Sequence, residues 1–151
     1  MIAVTQSGRD AATLAARCIQ AIADKDATQL RELFADESKW ELAYRLEGMS
    51  EAERIVEGGD RITRFHRGLS RVMDSITFPE VKTFAVSDEL AFVEFRSDTR
   101  TAKGKPYANY YVAKVSAKDG RITHWLEFYD PRPAEMIYQD VGESLASRAG
   151  R

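Results

Sequence analysis

Hydrophobic positions change their period along this chain, and the changes outline its elements. Leu14, Cys18, Ile19 and Ile22 recur at spacings of three and four, which predicts an early helix with Asp10 as candidate cap before Ala11. Asp24-Lys25-Asp26 interrupts the pattern. Leu30, Leu33 and Phe34 then mark one face of a second, short helix that stops near Asp36. From Lys39 to Glu47 the period drops to two, with Trp40, Leu42, Tyr44 and Leu46 alternating with Glu41, Ala43 and Arg45, as in a half-buried strand. Ser50-Glu51-Ala52-Glu53 has capping-box spacing. Gly58-Gly59 closes that segment, and Asp60 is the expected cap of a third helix striped by Ile62, Phe65, Leu69, Val72 and Met73. Strand-like runs follow from Ser75 to Val86, Glu89 to Thr99, Tyr107 to Ala117 and Arg121 to Tyr129. Asp130-Pro131 reads as a cap followed by proline at the first position of a short helix.

Helices gathered on one side of an antiparallel sheet make an α+β domain, here a single one spanning residues 1–151. Lys118-Asp119-Gly120 joins the last two runs as a hairpin, because glycine enters the positive-φ region without strain. Leu90, Ala91, Phe92, Val93 and Phe95 place apolar groups on both faces of one strand. A sheet apolar on both faces implies a partner for the outer one, and a homodimer is expected.

Polar residues interrupt the apolar faces at particular places. On the hairpin, 107, 109, 111, 113 and 115 share one face and 123, 125, 127 and 129 another. These phases bring Asn109 and Glu127 into aromatic company, where a plain core strand would carry Val or Leu. Such a pattern describes a lined pocket. Between Trp125 and Tyr129, the Glu127 carboxyl is expected to be desolvated, with its pKa raised toward the range of general acid/base catalysis. Glu94 and Arg96 share a face with Leu90, Phe92 and Asp98 and are expected at the pocket mouth, Arg96 as counter-charge to Glu127. Trp40, Tyr44, Tyr111, Trp125 and His66 complete the expected lining, and Asn109 is expected to orient a ligand.

Composition narrows the partners. The formal net charge is −2, from 22 basic and 24 acidic side chains, with no basic run to track a nucleic-acid backbone. The start of the chain shows no signal-peptide pattern and no apolar run reaches membrane-spanning length, so no membrane partner and a cytoplasmic location are expected. The one cysteine, Cys18, has no internal disulfide partner and sits where a small core residue belongs. The two histidines lack ligand spacing, so neither a metal nor another cofactor is expected. A Gly-rich phosphate loop and a nucleophile elbow are both missing from the sequence.

The element order, with Leu33-Phe34-Ala35-Asp36, Gly59-Asp60-Arg61-Ile62, Tyr107-x-Asn109-x-Tyr111 and Gly120-Arg121-Ile122 through Glu127-Phe128-Tyr129-Asp130, resembles the SnoaL-like branch of the nuclear-transport-factor-like superfamily. The resemblance implies a cone: a curved antiparallel sheet wrapped around N-terminal helices, the cystatin-like architecture, with a deep apolar cavity and usually a dimer. It implies no single reaction, since polyketide cyclases, ketosteroid isomerases, limonene epoxide hydrolase, a phenazine-biosynthesis protein and non-catalytic modules share the fold. The ketosteroid isomerase positions fall near Leu42, Cys18 and Val112 or Ala113, so that set is missing. Glu127 matches the last-strand acid of limonene epoxide hydrolase, while Glu94 and Arg96 stand in reversed order on another strand. The phenazine-biosynthesis protein is similar around Tyr107-x-Asn109 and Glu127-Phe128. The expected function is acid/base chemistry on a small hydrophobic, cyclic or polyketide-like molecule, by cyclisation, isomerisation, dehydration or epoxide hydrolysis. The alternatives are a ligand-binding module, which would leave Glu127 paired with Arg96, and a dimerisation module whose cavity is filled by Trp40, Trp125 and Tyr111.

Overall fold

The computed structural model describes residues 8–138. Helix α1 (Ala11–Ala23) starts where the Asp10 side chain accepts hydrogen bonds from the Thr13 amide and hydroxyl. It buries Leu14, Cys18 and Ile19. Helix α2 (Ala27–Leu33) is capped in the same way by Asp26, which accepts from the Gln29 amide. Strand β1 (Phe34–Leu42) follows with no loop, so the chain turns extended at Phe34, earlier than the alternation from Lys39 implied. Phe34 is fully buried there. Arg31 stabilises this junction by donating to Phe34 O at 3.0 Å while pairing with Asp36 and Asp60.

Ser50 and Glu53 form the expected reciprocal capping box at a single 3₁₀ turn, Ala52–Arg54. The short strand β2 (Ile55–Glu57) is too brief to show a period and was not legible in the sequence. Helix α3 (Gly59–Val72) is capped by Gly58, whose φ of 96° suits glycine, and not by Asp60. Asp60 instead meets Arg31, 2.7 Å from its Nε. Strands β3 (Met73–Ser87), β4 (Leu90–Thr101), β5 (Pro106–Lys118) and β6 (Arg121–Tyr129) complete the sheet. A helical segment, 131–138, follows Asp130, whose Oδ1 accepts from the Arg132 amide.

The sheet order is β2-β1-β6-β5-β4-β3. Every junction is antiparallel except β1 with β6, which runs parallel and sets Trp40 beside Trp125 and Leu42 beside Glu127. Asp119 and Gly120 carry φ of 51° and 75° in a tight turn closed by the Lys118–Arg121 pair. Just beyond it, the register shifts between Ser116/His124 and Ala117/Ile122, leaving Thr123 as an extra residue. Ile122 and Trp125 can therefore both face inward, and Thr123 leaves the face expected of it. Helix α1 packs across β3 to β6, and α3 against β1, β2 and β3, on the concave side.

The junction around Arg31 gives the first prediction. A Cβ on Gly59 would lie 2.9 Å from Ala35 O and 2.8 Å from Arg31 Cζ, and Arg31 is held by its two aspartates. Gly59→Ala should destabilise the fold by about 1–3 kcal/mol in chemical denaturation. Unchanged stability would show that this junction yields easily.

Candidate functional site

Alternation along β4, β5 and β6 builds the site in rows. One row sets Ala91, Val115, Trp125 and Trp40 side by side, and the next sets Val93, Ala113, Glu127 and Leu42. A third brings together Phe95, Tyr111 and Tyr129, followed by Ser97 with Asn109 and Thr99 with Tyr107. The apolar rows meet the helices. Toward the other end, hydroxyl-bearing side chains replace Val and Ala, and the inner face opens into a cavity of about 750 Å³. Trp40, Phe95, Tyr107, Tyr111, Trp125 and Glu127 are among its walls, with Phe65, His66 and Leu69 of α3 facing them.

Trp40 and Trp125 stack with centroids 4.9 Å apart and 7° between planes. His66 meets Trp40 edge to face at 4.4 Å. Its Nε2 is buried without a hydrogen-bond partner among the described residues, and burial pushes its pKa down to about 4, so the ring is neutral. Phe95 lies flat against Tyr111 at 4.6 Å.

Glu127 is the buried acid of this wall. Among the described residues its carboxyl receives one hydrogen bond, from Trp125 Nε1 at 3.2 Å. Burial pushes its pKa up to about 7, against the smaller lowering effect of that bond. The neighbouring apolar groups offer no compensating positive charge. Its own charge adds to burial in raising the Cys18 thiol and the Tyr107, Tyr111 and Tyr129 phenols, so all four lie within its field.

Other expected site residues lie elsewhere. Glu94 and Arg96 are on the outer face of β4, because the inward positions are Ala91, Val93, Phe95, Ser97 and Thr99. Glu94 accepts from Tyr110 OH, and Arg96 approaches Glu80 at 3.8 Å and covers the Tyr110 ring. Neither reaches the cavity, and the expected Glu127–Arg96 pair does not form. Tyr44 lies beyond the end of β1, 46% exposed, where its carbonyl accepts from Tyr129 OH and its ring packs on Phe128 and Tyr129. Asn109 is buried behind the wall. Its Oδ1 accepts from the Tyr110 and Asp130 amides, and its Nδ2 donates to Tyr107 OH and Asp130 O. These bonds tie β5 to the end of β6 and occupy the amide.

Sequence reasoning missed Tyr107, Ser97 and Phe95 as lining, although the period-two pattern that placed Tyr111 also places Tyr107. Among the described residues, no group of three or more His, Cys, Asp or Glu side chains is placed to hold a metal ion. No described helix is long and apolar enough to cross a membrane.

Comparison with known proteins places this geometry. A family profile described as a SnoaL-like domain matches residues 15–125. The uncharacterized protein YesE of Bacillus subtilis (strain 168) is 26% identical over 111 residues, covering 72% of this chain and 73% of the relative. Solved structures share the fold. A Bacillus subtilis protein described as a candidate isomerase superposes with TM-score 0.75 at 19% identity, covering 90% of this chain and 96% of that one. An NTF2-like protein from Anabaena variabilis gives 0.66 at 16%, covering 85% and 96%. An LEH-like epoxide hydrolase from M. tuberculosis gives 0.60 at 15%, covering 91% and 90%.

A raised carboxyl pKa has a stability consequence of definite sign. Folded Glu127 keeps its proton to about pH 7, whereas the unfolded chain releases it near 4.5. Between these values the folded form of Glu127 binds more protons than the unfolded one, so its contribution to stability falls as pH rises and levels off above about 7. The contribution amounts to about 3 kcal/mol. Buried His66, whose pKa is lowered to about 4, contributes an opposite rise over much of the same range. Urea denaturation should therefore show the stability of the wild type falling relative to that of Glu127→Gln by about 3 kcal/mol as pH rises from 4.5 to 7. Parallel profiles would mean that Glu127 titrates normally.

Proposed function

For this chain, which belongs to the SnoaL-like family, we propose proton transfer by Glu127 to or from a small hydrophobic molecule held in the cavity. The observation that carries this reading is a carboxyl buried in an aromatic wall, given one neutral hydrogen bond, with its pKa raised to about 7. A group that exchanges a proton near neutrality can serve as acid or base without large cost in either state. The cavity volume of about 750 Å³ falls within the usual range of small-molecule sites. Its walls are mostly apolar, which favours a cyclic or polyketide-like ligand. Cyclisation, isomerisation, dehydration and epoxide opening all fit a positioned carboxyl in a dry site.

The placement of Arg96 speaks against a module in which Glu127 serves only as half of an ion pair. Arg96 faces Glu80 on the other side of the sheet, so nothing cationic from β4 stabilises the Glu127 carboxylate. The large residual cavity likewise speaks against a domain whose interior is filled by Trp40, Trp125 and Tyr111.

The test is turnover of a panel of hydrophobic enolisable ketones, β-hydroxy ketones and epoxides by wild type and Glu127→Gln. The variant keeps the shape of the side chain and removes its titration. Its kcat/KM should fall about 100- to 10,000-fold, and the wild-type pH profile should bend near pH 7. Unaffected turnover in the variant would contradict the assignment.

A homodimer belongs to the same reading. Phe84 and Tyr110 are half-exposed on the outer sheet face, Phe92 pairs with Phe84 across β3 and β4, and Glu80, Lys82, Glu94 and Arg96 are interspersed among them. Both signs of charge alternate there, so a second copy can match the face as well as cover its rings. Sedimentation equilibrium should report twice the chain mass. Phe84→Lys should shift the population toward monomer, and a wild type that remains monomeric at high concentration would overturn this assembly.

A further inference from the structure

Hydroxyl groups on β4 and β5 form one chain at the open end of the cavity, and its protons can be counted. The starting point is Asn109. Its Oδ1 accepts from two backbone amides, Tyr110 at 2.7 Å and Asp130 at 2.9 Å, which fixes the other atom as the nitrogen. That Nδ2 donates to Tyr107 OH at 2.8 Å. The Asn109 amide N–H donates to Ser97 Oγ at 3.1 Å, and Ser97 Oγ lies 3.2 Å from Tyr111 OH. Tyr111 OH in turn donates to Tyr107 OH at 3.0 Å. The Tyr107 oxygen therefore accepts two hydrogen bonds, and its own proton has no acceptor among the described residues. Ser97, Tyr107 and Tyr111 all line the cavity.

We propose that the Tyr107 hydroxyl donates its free proton in a hydrogen bond to a carbonyl oxygen of the ligand, so that the substrates are apolar, enolisable carbonyl compounds. This rests on the reading of Glu127 as the proton-transfer group. Two bonds accepted by the phenol oxygen polarise its O–H and make it a stronger donor. Burial raises the pKa of both tyrosines and keeps them protonated, and the Glu127 charge reaches both. With the carbonyl on Tyr107, Glu127 takes a proton from the adjacent carbon. The C–H electron pair becomes the carbon–carbon double bond of an enolate, and the carbonyl π pair moves to the oxygen facing Tyr107. The proton stays on Glu127 until it returns to carbon. Tyr111 and Asn109 are positioning residues, acting through the phenol they hold.

The probe is prodan, a naphthyl ketone dye whose emission moves to the red when its carbonyl accepts a hydrogen bond. Wild type should bind it roughly 3- to 10-fold more tightly than Tyr107→Phe, and the bound emission should move to the blue in that variant. Tyr111→Phe removes one donor to Tyr107 but leaves its proton, so its blue shift should be smaller. The same dye reduced at the carbonyl should bind wild type and Tyr107→Phe equally. Thermal melting of each variant checks that the fold persists. Equal prodan affinity and colour in wild type and Tyr107→Phe would overturn the proposal, as would entry of the reduced dye without the ketone. Glu127→Gln should leave the prodan colour difference in place, so failure at Tyr107 and failure at Glu127 appear in separate measurements.

Discussion

Trp40 and Trp125 stack across the β1–β6 junction, the one place where neighbouring strands of the sheet run parallel. Their position decides much of the interior. Helix α3 lays His66 edge-on against Trp40, and β4 brings Phe95 against Trp125. The indole N–H of Trp125 then has one polar acceptor to meet, and Glu127, two residues on along the same face, supplies it. A buried indole donor needs such a partner. The acid is thus held by the same ring that desolvates it.

A cavity next to this stack carries a cost in packing, because its walls lack contacts on one side. The chain offsets that cost with interactions behind the wall. Asn109 makes five hydrogen bonds, three of which bind β5 to β4 and to the end of β6. Arg54 reaches Glu41 and the Leu42 carbonyl, fixing the segment after β1 over the outer face. The Glu41 carboxylate also meets His124, and together these partners hold its pKa below the usual value despite partial burial. Glu41 on the outer face is therefore paired with a cation, whereas Glu127 inside has none among the described residues. That contrast in partners, more than burial alone, separates a structural carboxylate from one able to exchange its proton.

The α+β architecture was legible because long periodic segments and turn chemistry agree with the tertiary outcome. The Asp119-Gly120 turn, the Ser50–Glu53 capping box and the Asp130 cap all form where the sequence places them. Asn109 and Glu127 do share the buried face. Three features were hidden for physical reasons. Leu90 and Phe92 give the outer face of β4 an apolar start, which made Glu94 and Arg96 on that face seem the inward pair, whereas Ser97 and Thr99 on the other face line the cavity. Phe34 closes α2 and opens β1 at once, with Arg31 stabilising the corner through residues distant in sequence. Tyr44 continues the alternation of β1 past its end, where pairing with β6 has stopped. Periodicity reports local direction, whereas strand ends and cavity walls depend on neighbours it does not encode.

The account depends on the ionisation of one carboxyl, which infrared spectroscopy can follow directly. A protonated carboxylic acid has a carbonyl band separate from that of carboxylate, and comparison with Glu127→Gln assigns it. In the ligand-free wild type this band should disappear with a midpoint near pH 7 and be missing from the variant. A Glu127 band that is lost near the ordinary value of 4.5 would contradict the account.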